Sequence, residues 1–306
     1  MTTHRYRLTG ALVGLAMIGA NGIVTDGQPA GPSALLSAVQ SAQPEDDDFG
    51  ALAAAALDAT ADDRARLAVI LRRGSEAQRN AALFALAYSG GDDAIATLER
   101  YRHPTNDAAR RALLCFALAG RGAGADRAAL VRALRGEHIG DEWPPIVAAA
   151  LSLGVLRAAD ATPALERVAG TDDGTLAANA AREALRWLRQ GPWRVELPAD
   201  ASDDDAVIGA AFRNGIPRTA DAPAFYEAAR GGAWTLEGSV WRFRRGPRAA
   251  GTPALDFTVH RNARRTRALL SVGVSFGPKN GSGYDYLLVR DGGTWRVTGV
   301  MFTWVS

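Results

Sequence analysis

An internal repeat with a period of 32 to 35 residues is the feature of this sequence that most constrains its fold. Four apolar segments superpose at offsets of 32, 35 and 34 residues: Phe84–Ala87, Phe116–Ala119, Leu151–Gly154 and, more loosely, Leu185–Leu188. A second anchor, formed by Leu98, Leu130 and Leu165, recurs at offsets of 32 and 35 residues. Two anchors with matched offsets indicate repeated structural units rather than a chance product of an alanine-rich composition.

Each repeat predicts a pair of helices. The first helix is apolar at helical spacing, as around Leu86, and the second is shorter, as around Leu98. Glycines such as Gly90-Gly91 supply the turns between helices. Acidic pairs such as Asp92-Asp93 precede helices, and this recurrence favours capping of free backbone amides over metal binding or acid–base chemistry. Because one pair cannot bury its apolar face alone, we expect successive pairs to stack.

This pattern, an Ala/Leu/Gly-rich first helix repeated from about Phe49 to Gln190, resembles HEAT-like repeats of the kind also found in phycobilisome lyases. The resemblance implies a right-handed α-solenoid of five helix pairs, the last incomplete, which we place within residues 46–191. It implies no lyase activity, because the repeat pattern itself contains no catalytic residues. Pro144-Pro145 stand near the start of the fourth pair, where proline in a first helical turn is tolerated.

The character of the sequence changes after Gly191-Pro192. Asp203 to Asn214 and Ala222 to Arg230 predict two short helices. From Trp234 onward, apolar residues alternate with polar ones as in strands, and Asp291-Gly292-Gly293 is a strong hairpin turn. We therefore predict a multidomain chain whose residues 192–306 form an α+β domain, with helices first and then an antiparallel sheet of about four or five strands.

The last part of this domain resembles cystatin-like and nuclear-transport-factor-2-like folds, in which a curved sheet wraps a helix. The segments that carry the resemblance are Tyr284–Leu288, Trp295–Val297 and Trp304–Ser306. The resemblance implies a cone-shaped cavity for a small ligand or a partner, and it brings no catalytic residue with it.

The N-terminus has the layout of an export signal. The basic residues His4, Arg5 and Arg7 precede an uncharged apolar run, and small residues around Ala20 offer a cleavage site, so residues 1–22 predict a signal peptide. The run is short for a membrane span of about 20 apolar residues, and an uncleaved anchor is the alternative. Residues 23–45, rich in Gly, Pro, Ser, Ala and Gln, predict a linker. We expect a protein exported to the periplasm or beyond, touching a membrane only through an uncleaved N-terminal segment.

Residue types that carry catalysis are sparse. None of the four histidines has a carboxylate or a second histidine at metal-ligand spacing, so we expect neither a metal nor a cofactor. Cys115, the only cysteine, lies in an apolar run where a buried residue is expected rather than a reactive thiol. The residues favour a non-enzymatic protein. An enzyme acting in the C-terminal cavity, through Asp285, His260 or Tyr286, is the alternative.

Arginines recur on the second helices of the repeats. Arg100, Arg132 and Arg167 each stand two residues after an anchor leucine, so they predict a ladder of guanidinium groups along one face. Such a ladder suits an acidic peptide or another extended anion. The plainer interpretation is an exposed helix face covered by the chain's default basic residue, with Glu99 and Glu166 partly neutralising it.

The C-terminal domain has its own basic cluster. Its members are Arg242, Arg244, Arg245, Arg248, Arg261, Arg264, Arg265 and Arg267. The formal net charge of +2 and the predicted export argue against nucleic-acid binding. Arginine-rich hairpin tips also keep sheet edges soluble.

Together these features predict an exported, non-catalytic scaffold that binds a protein or acidic peptide on its repeat surface, with Arg100, Arg132 and Arg167 as the binding residues. Nucleic acid is not an expected partner. The alternative is an enzyme or a small-ligand binder that uses a cavity in the C-terminal domain.

Overall fold

The structure, a computed structural model, describes thirteen segments of the chain. They are residues 32–43, 49–102, 107–122, 125–135, 143–171, 175–190, 194–197, 199–214, 225–228, 232–237, 240–245, 254–277 and 280–305. The predicted signal peptide lies outside these residues. Side chains are described for most of these segments but not for strands 225–245.

A helical region comes first and an α+β region follows it. The helices of the first region are α1 (Pro32–Ser41), α2 (Phe49–Ala56), α3 (Ala61–Arg73), α4 (Glu76–Ser89), α5 (Asp92–Arg100), α6 (Asp107–Ala119), α7 (Arg127–Arg135), α8 (Trp143–Val155), α9 (Thr162–Ala169) and α10 (Leu176–Gln190). A short 3-10 helix, Ala159–Ala161, precedes α9. The predicted limits of the repeats, Phe49 and Gln190, coincide with the start of α2 and the end of α10.

Helices α2 to α10 lie in two rows. Successive contacts α2–α4, α4–α6, α6–α8 and α8–α10 define the first row, and contacts α3–α5 and α7–α9 belong to the second row. Helix α1 packs against α2, α3 and α4. From α4 to α10, successive first-row helices are thus separated along the chain by one second-row helix.

The repeated anchors are all buried. Leu98, Leu130 and Leu165 lie on the second-row helices α5, α7 and α9, and each is 0% exposed. The first-row positions at the repeat offsets are also buried: Leu86, Leu118, Leu153 and Trp187. Capping boxes start α3 and α4, where Thr60 and Ser75 exchange hydrogen bonds with the third residue of each helix. Local capping and a shared apolar layer therefore specify the helices together.

The α+β region contains one helix and eight strands in its described residues. They are β1 (Arg194–Glu196), α11 (Asp203–Asn214), β2 (Phe225–Ala228), β3 (Gly232–Glu237), β4 (Val240–Arg245), β5 (Ala254–Arg261), β6 (Arg267–Gly277), β7 (Asn280–Asp291) and β8 (Thr294–Val305). The strand order is β1-β4-β3-β2-β5-β6-β7-β8. Strands β5 to β8 form the antiparallel part that the alternating pattern predicted, and the pairings β1–β4 and β2–β5 are parallel.

The sheet is covered on both faces. Leu269 and Leu287 pair on one face, and Gly120 of the α6 end approaches Leu287 there. Neighbouring residues of a strand point to opposite faces. Phe257 accordingly contacts Phe212 of α11 on the other face, with ring centroids 5.9 Å apart. Helices α4 and α6 thus pack on one side of the sheet and α11 on the other, and all of them share one apolar core.

Three sequence predictions differ from the structure. The predicted linker 23–45 contains α1, whose Leu35, Leu36 and Val39 are buried because they repeat at helical spacing. The predicted helix from Ala222 to Arg230 is wrong, since residues 225–228 form β2 between β3 and β5. The sheet also has more strands than the four or five predicted, because the turns before Ala254 carry weak signals.

The close approach of α8 and α10 yields a test of this packing. A β-carbon added at Gly154 would lie 2.7 Å from Cε3 of Trp187 and 2.9 Å from Cα of Ala184. We expect Gly154→Ala to lower the free energy of unfolding by about 1–3 kcal/mol, since overpacking outweighs the better helix propensity of alanine. Urea unfolding measures this. Gly170→Ala is the matched control, because its added carbon meets nothing closer than 3.4 Å; equal effects of the two changes would contradict the packing.

Candidate functional site

The three predicted binding arginines all lie on the second row of helices. Arg100 ends α5, Arg132 lies in α7 and Arg167 in α9, and all three are exposed. Each follows a fully buried leucine by two residues, which is about 200° around a helix of 3.6 residues per turn. Their side chains therefore leave the helices on the side opposite the core. We call this surface, defined by Arg100, Arg132 and Arg167, the arginine face.

The three arginines do not occupy one position in their helices. Arg132 and Arg167 are each the sixth residue of helices α7 and α9, which contact each other. Arg100 is the ninth residue of α5, where Thr97 is the sixth. The ninth residue of α7 is Arg135. The face therefore has two matched arginines on neighbouring helices, and Arg100 lies one helical turn further along its own helix.

Two acidic side chains near the arginine face pair with arginines outside it. Glu166 binds Arg189 at 3.3 Å rather than its neighbour Arg167. Asp93 of α5 binds Arg64 at 2.8 Å. Within the described residues, no ion pair involves Arg100, Arg132 or Arg167, although Glu99 adjoins Arg100 in the chain. Glu166 therefore does not pair with Arg167, whereas Glu99 remains beside Arg100.

Helix α6 is covered by the sheet on one side. An ion pair also joins the start of α5 to the end of α6. Asp92 of α5 binds Arg121, just beyond α6, at 2.9 Å. Gly299 of β8 lies against Phe116 and Ala119 of α6, since a β-carbon added there would meet the Phe116 carbonyl oxygen at 3.2 Å. The sheet therefore covers first-row surface, and the second row is the side of the helices that remains open to a partner.

A buried hydrogen-bond network joins the sheet to the first row. Asp285 of β7 accepts a short hydrogen bond from the Tyr88 hydroxyl of α4 and a 2.6 Å bond from Ser271 of β6. Burial raises the pKa of Asp285, and the two hydroxyl donors lower it by a smaller amount. Burial and the neighbouring Asp285 also raise the pKa of Tyr88 well above its ordinary value. These hydrogen bonds link α4 to strands β6 and β7. We call the set of Tyr88, Ser271 and Asp285 the joint.

The residues proposed for an enzymatic alternative do not converge. Asp285 and Tyr286 are consecutive in β7, so their side chains point to opposite faces of the sheet. Asp285 faces Tyr88 of α4, whereas Tyr286 pairs with Leu270 on the face that α11 covers. His260 pairs with Leu269, two positions along from the Ser271–Asp285 pair. Their arrangement forms no common site for acid–base chemistry.

A small pocket lies between the helices and the sheet rather than inside a cone. Its volume is about 70 Å³. It is lined by Val147, Leu151, Leu176, Asn179, Ala180, Glu183, Tyr284 and Phe302. Tyr284 and Phe302 meet edge to face at 5.3 Å. Pockets for drug-sized ligands measure about 300–1,000 Å³, so this one suits only a small group.

Other chemistry-bearing residues have structural surroundings. Cys115 is buried in α6, and burial raises the pKa of its thiol to about 12. Such a thiol stays protonated at neutral pH and is a poor nucleophile. Within the described ranges, no three His, Cys, Asp or Glu side chains are placed to share a metal ion. Nor does any helix in those ranges have the length and apolarity required to cross a bilayer.

Comparisons with known proteins gave no match. No protein-family model matches it, and no curated protein or solved structure shows significant similarity to it. The geometry of the arginine face and of the joint around Asp285 therefore carries the functional argument alone.

Proposed function

We propose that this protein is a non-catalytic interaction module, a HEAT-like solenoid that binds an acidic peptide segment of a partner protein along the arginine face. The observation that carries the proposal is the set of exposed arginines on the second row, which form no ion pair within the described residues although Glu99 and Glu166 adjoin two of them. Guanidinium groups bind carboxylates through two parallel N–H···O bonds, which favours an acidic segment over a neutral one.

The two rows of helices support the solenoid interpretation. Consecutive helix pairs in such arrays contact mainly their neighbours and leave one continuous surface for an elongated partner. The sheet occupies the first-row side, so the second row is the surface available for this role. The N-terminal pattern supports an exported protein, and we propose that binding takes place outside the inner membrane.

The spacing of the arginines indicates the geometry of the partner. Packed helices lie about 8–10 Å apart, so Arg132 and Arg167 project from points about that far apart. Three residues of an extended peptide span about 10 Å. We therefore expect the segment to lie extended across α7 and α9, with acidic side chains about three residues apart.

Charge reversal at the two matched arginines tests the proposal. We expect Arg132→Glu with Arg167→Glu to weaken binding of a fluorescein-labelled acidic peptide at least about tenfold, because two attractive contacts become repulsive. Fluorescence anisotropy at fixed ionic strength measures the affinity.

A matched pair of changes on the sheet controls for net charge. Arg194→Glu with Arg296→Glu makes the same charge change at exposed residues that already pair with Glu196 and Asp291. We expect this control to keep most of the affinity. Equal loss in both double variants would mean that overall charge, not the arginine face, governs binding.

A further inference from the structure

The arginines of the β5–β6 hairpin serve different purposes. Arg261 binds Asp203 at 2.9 Å and Asp204 at 3.2 Å, which ties the hairpin to the start of α11. Arg267 is mostly buried and donates to the Tyr88 and Ser89 carbonyls at the end of α4, and burial lowers its pKa to about 10. The other two, Arg264 and Arg265, are exposed and have no ion pair within the described residues.

The hairpin tip holds these two residues in a fixed loop. The Asn262 side chain accepts from the Thr266 and Arg267 amides at 2.8 and 2.9 Å. The Arg265 amide donates to the Asn262 carbonyl at 2.9 Å and closes the turn. Asp58, in the loop before α3, accepts from the Ala263 amide at 3.0 Å and anchors the tip on the helices. The loop therefore presents its arginines from a backbone bound at several points.

Arg265 occupies a backbone conformation that favours another residue. Its φ of 51° is left-handed, a region in which glycine or asparagine is usual at this kind of hairpin position. An arginine there costs free energy that glycine would not, and such strain is a reason to look for a role of the side chain. The site is distinct from the arginine face, since it lies on the sheet hairpin.

We propose that Arg264 and Arg265 form a binding site for a phosphate-type oxyanion. Two arginines adjacent in the chain together carry the charge needed to match the charge of about −1.5 to −2 on a phosphate monoester at neutral pH, and guanidinium N–H groups match its oxygens. A single carboxylate carries one negative charge and therefore matches only one of the two guanidinium groups. Asp58, the carboxylate that anchors the tip, accepts from the Ala263 amide and lies close to the buried Arg267, and no ion pair joins it to Arg264 or Arg265 within the described residues.

The test separates binding from stability. Arg265→Gly removes the side chain and the backbone strain together, so we expect a melting temperature equal to or above that of the unchanged protein. Binding of inorganic phosphate, followed by NMR at constant ionic strength, is expected to weaken at least tenfold in Arg265→Gly and to vanish in the double variant Arg264→Gln with Arg265→Gly. Arg296→Gln, at the neighbouring hairpin, is expected to bind as before.

A second experiment distinguishes free phosphate from a lipid headgroup as the ligand. The same variants are mixed with vesicles of phosphatidylglycerol and phosphatidylcholine and sedimented. Loss of phosphate binding alone on mutation supports a free phosphate, and loss of binding to the anionic vesicles supports a lipid headgroup. If the unchanged protein binds neither probe, or if the double variant binds both as well as the unchanged protein does, the proposal is overturned.

Discussion

A chain that ends at Gln190 is expected to lose cooperative folding, although it retains every helix of the two rows. Ending the chain there would uncover first-row residues that now lie against the sheet, among them Tyr88 and Phe116, each 0% exposed. Burying a large aromatic side chain contributes about 1.5–3 kcal/mol, and a domain of this size has only about 5–15 kcal/mol of net stability. Losing several such contacts together therefore removes most of the net stability of the helical region.

Circular dichroism during thermal unfolding measures this outcome. The control is a chain that runs from Pro32 to Ser306, and it should melt in a single sharp transition. A fragment ending at Gln190 that melted with the same cooperativity and the same helical signal would show that the helical region has a self-sufficient core. That result would contradict the shared core.

The second large effect concerns the buried carboxyl of Asp285. At pH 4 to 5, we expect Asp285→Ala to lower the free energy of unfolding by about 2–4 kcal/mol, because the Tyr88 and Ser271 hydroxyls lose their acceptor. The loss is expected to be smaller at pH 8. Above the ordinary pKa the unfolded chain releases this proton more readily than the folded protein does, which favours unfolding of the unchanged protein.

The sign follows from the direction of the pKa shift. Burial raises the pKa of Asp285 in the folded protein above its ordinary value. Stability from this group is therefore complete below the ordinary pKa of about 3.9 and is lost as the pH rises through the higher folded value. Each tenfold difference in proton affinity between the folded and unfolded chains is worth about 1.4 kcal/mol.

Urea unfolding across pH 4 to 8 measures the effect, with Asp285→Asn as the matched variant. Asparagine keeps the shape of the side chain but does not ionise, so the stability difference between the unchanged protein and this variant should shrink or change sign as pH rises. Parallel stability curves for the two proteins would mean that Asp285 does not ionise differently in the folded chain.

The helices were predictable because local signals agreed with one another. The repeat offsets located the anchors, and Leu98, Leu130 and Leu165 are each fully buried. Helix α1 was missed although Pro32 and the apolar residues Leu35 and Val39 are helix signals, because the neighbouring Gly, Pro and Ser content suggested a linker.

Strand β2 shows where local propensity fails. Its segment, Phe225 to Ala228, is flanked by alanines and favours a helix in isolation. Pairing with β3 and β5 overrides that preference, since a strand is stabilised chiefly by its neighbours. Only the tertiary structure supplies those neighbours.

The joint around Asp285 could not be predicted from the sequence, for a related reason. Alternation along β7 puts Asp285 on the face opposite Tyr286, but it does not show that both faces of the sheet are covered and that Asp285 is buried. Its partner Tyr88 is 197 residues away in the chain, and no local pattern links the two. The arginine face was only partly predictable: each arginine follows its anchor leucine by two residues, but α5 begins three residues earlier relative to its anchor than α7 and α9 do.

Photo-crosslinking of an acidic peptide to the full chain tests the central claim most directly. The peptide carries one benzoylphenylalanine beside a run of acidic residues spaced three apart, and mass spectrometry locates the attached residues. We expect crosslinks on α5, α7 and α9, lost with Arg132→Glu and Arg167→Glu. Crosslinks confined to strands β5 to β8, unchanged by those substitutions, would contradict a binding surface on the second row of helices.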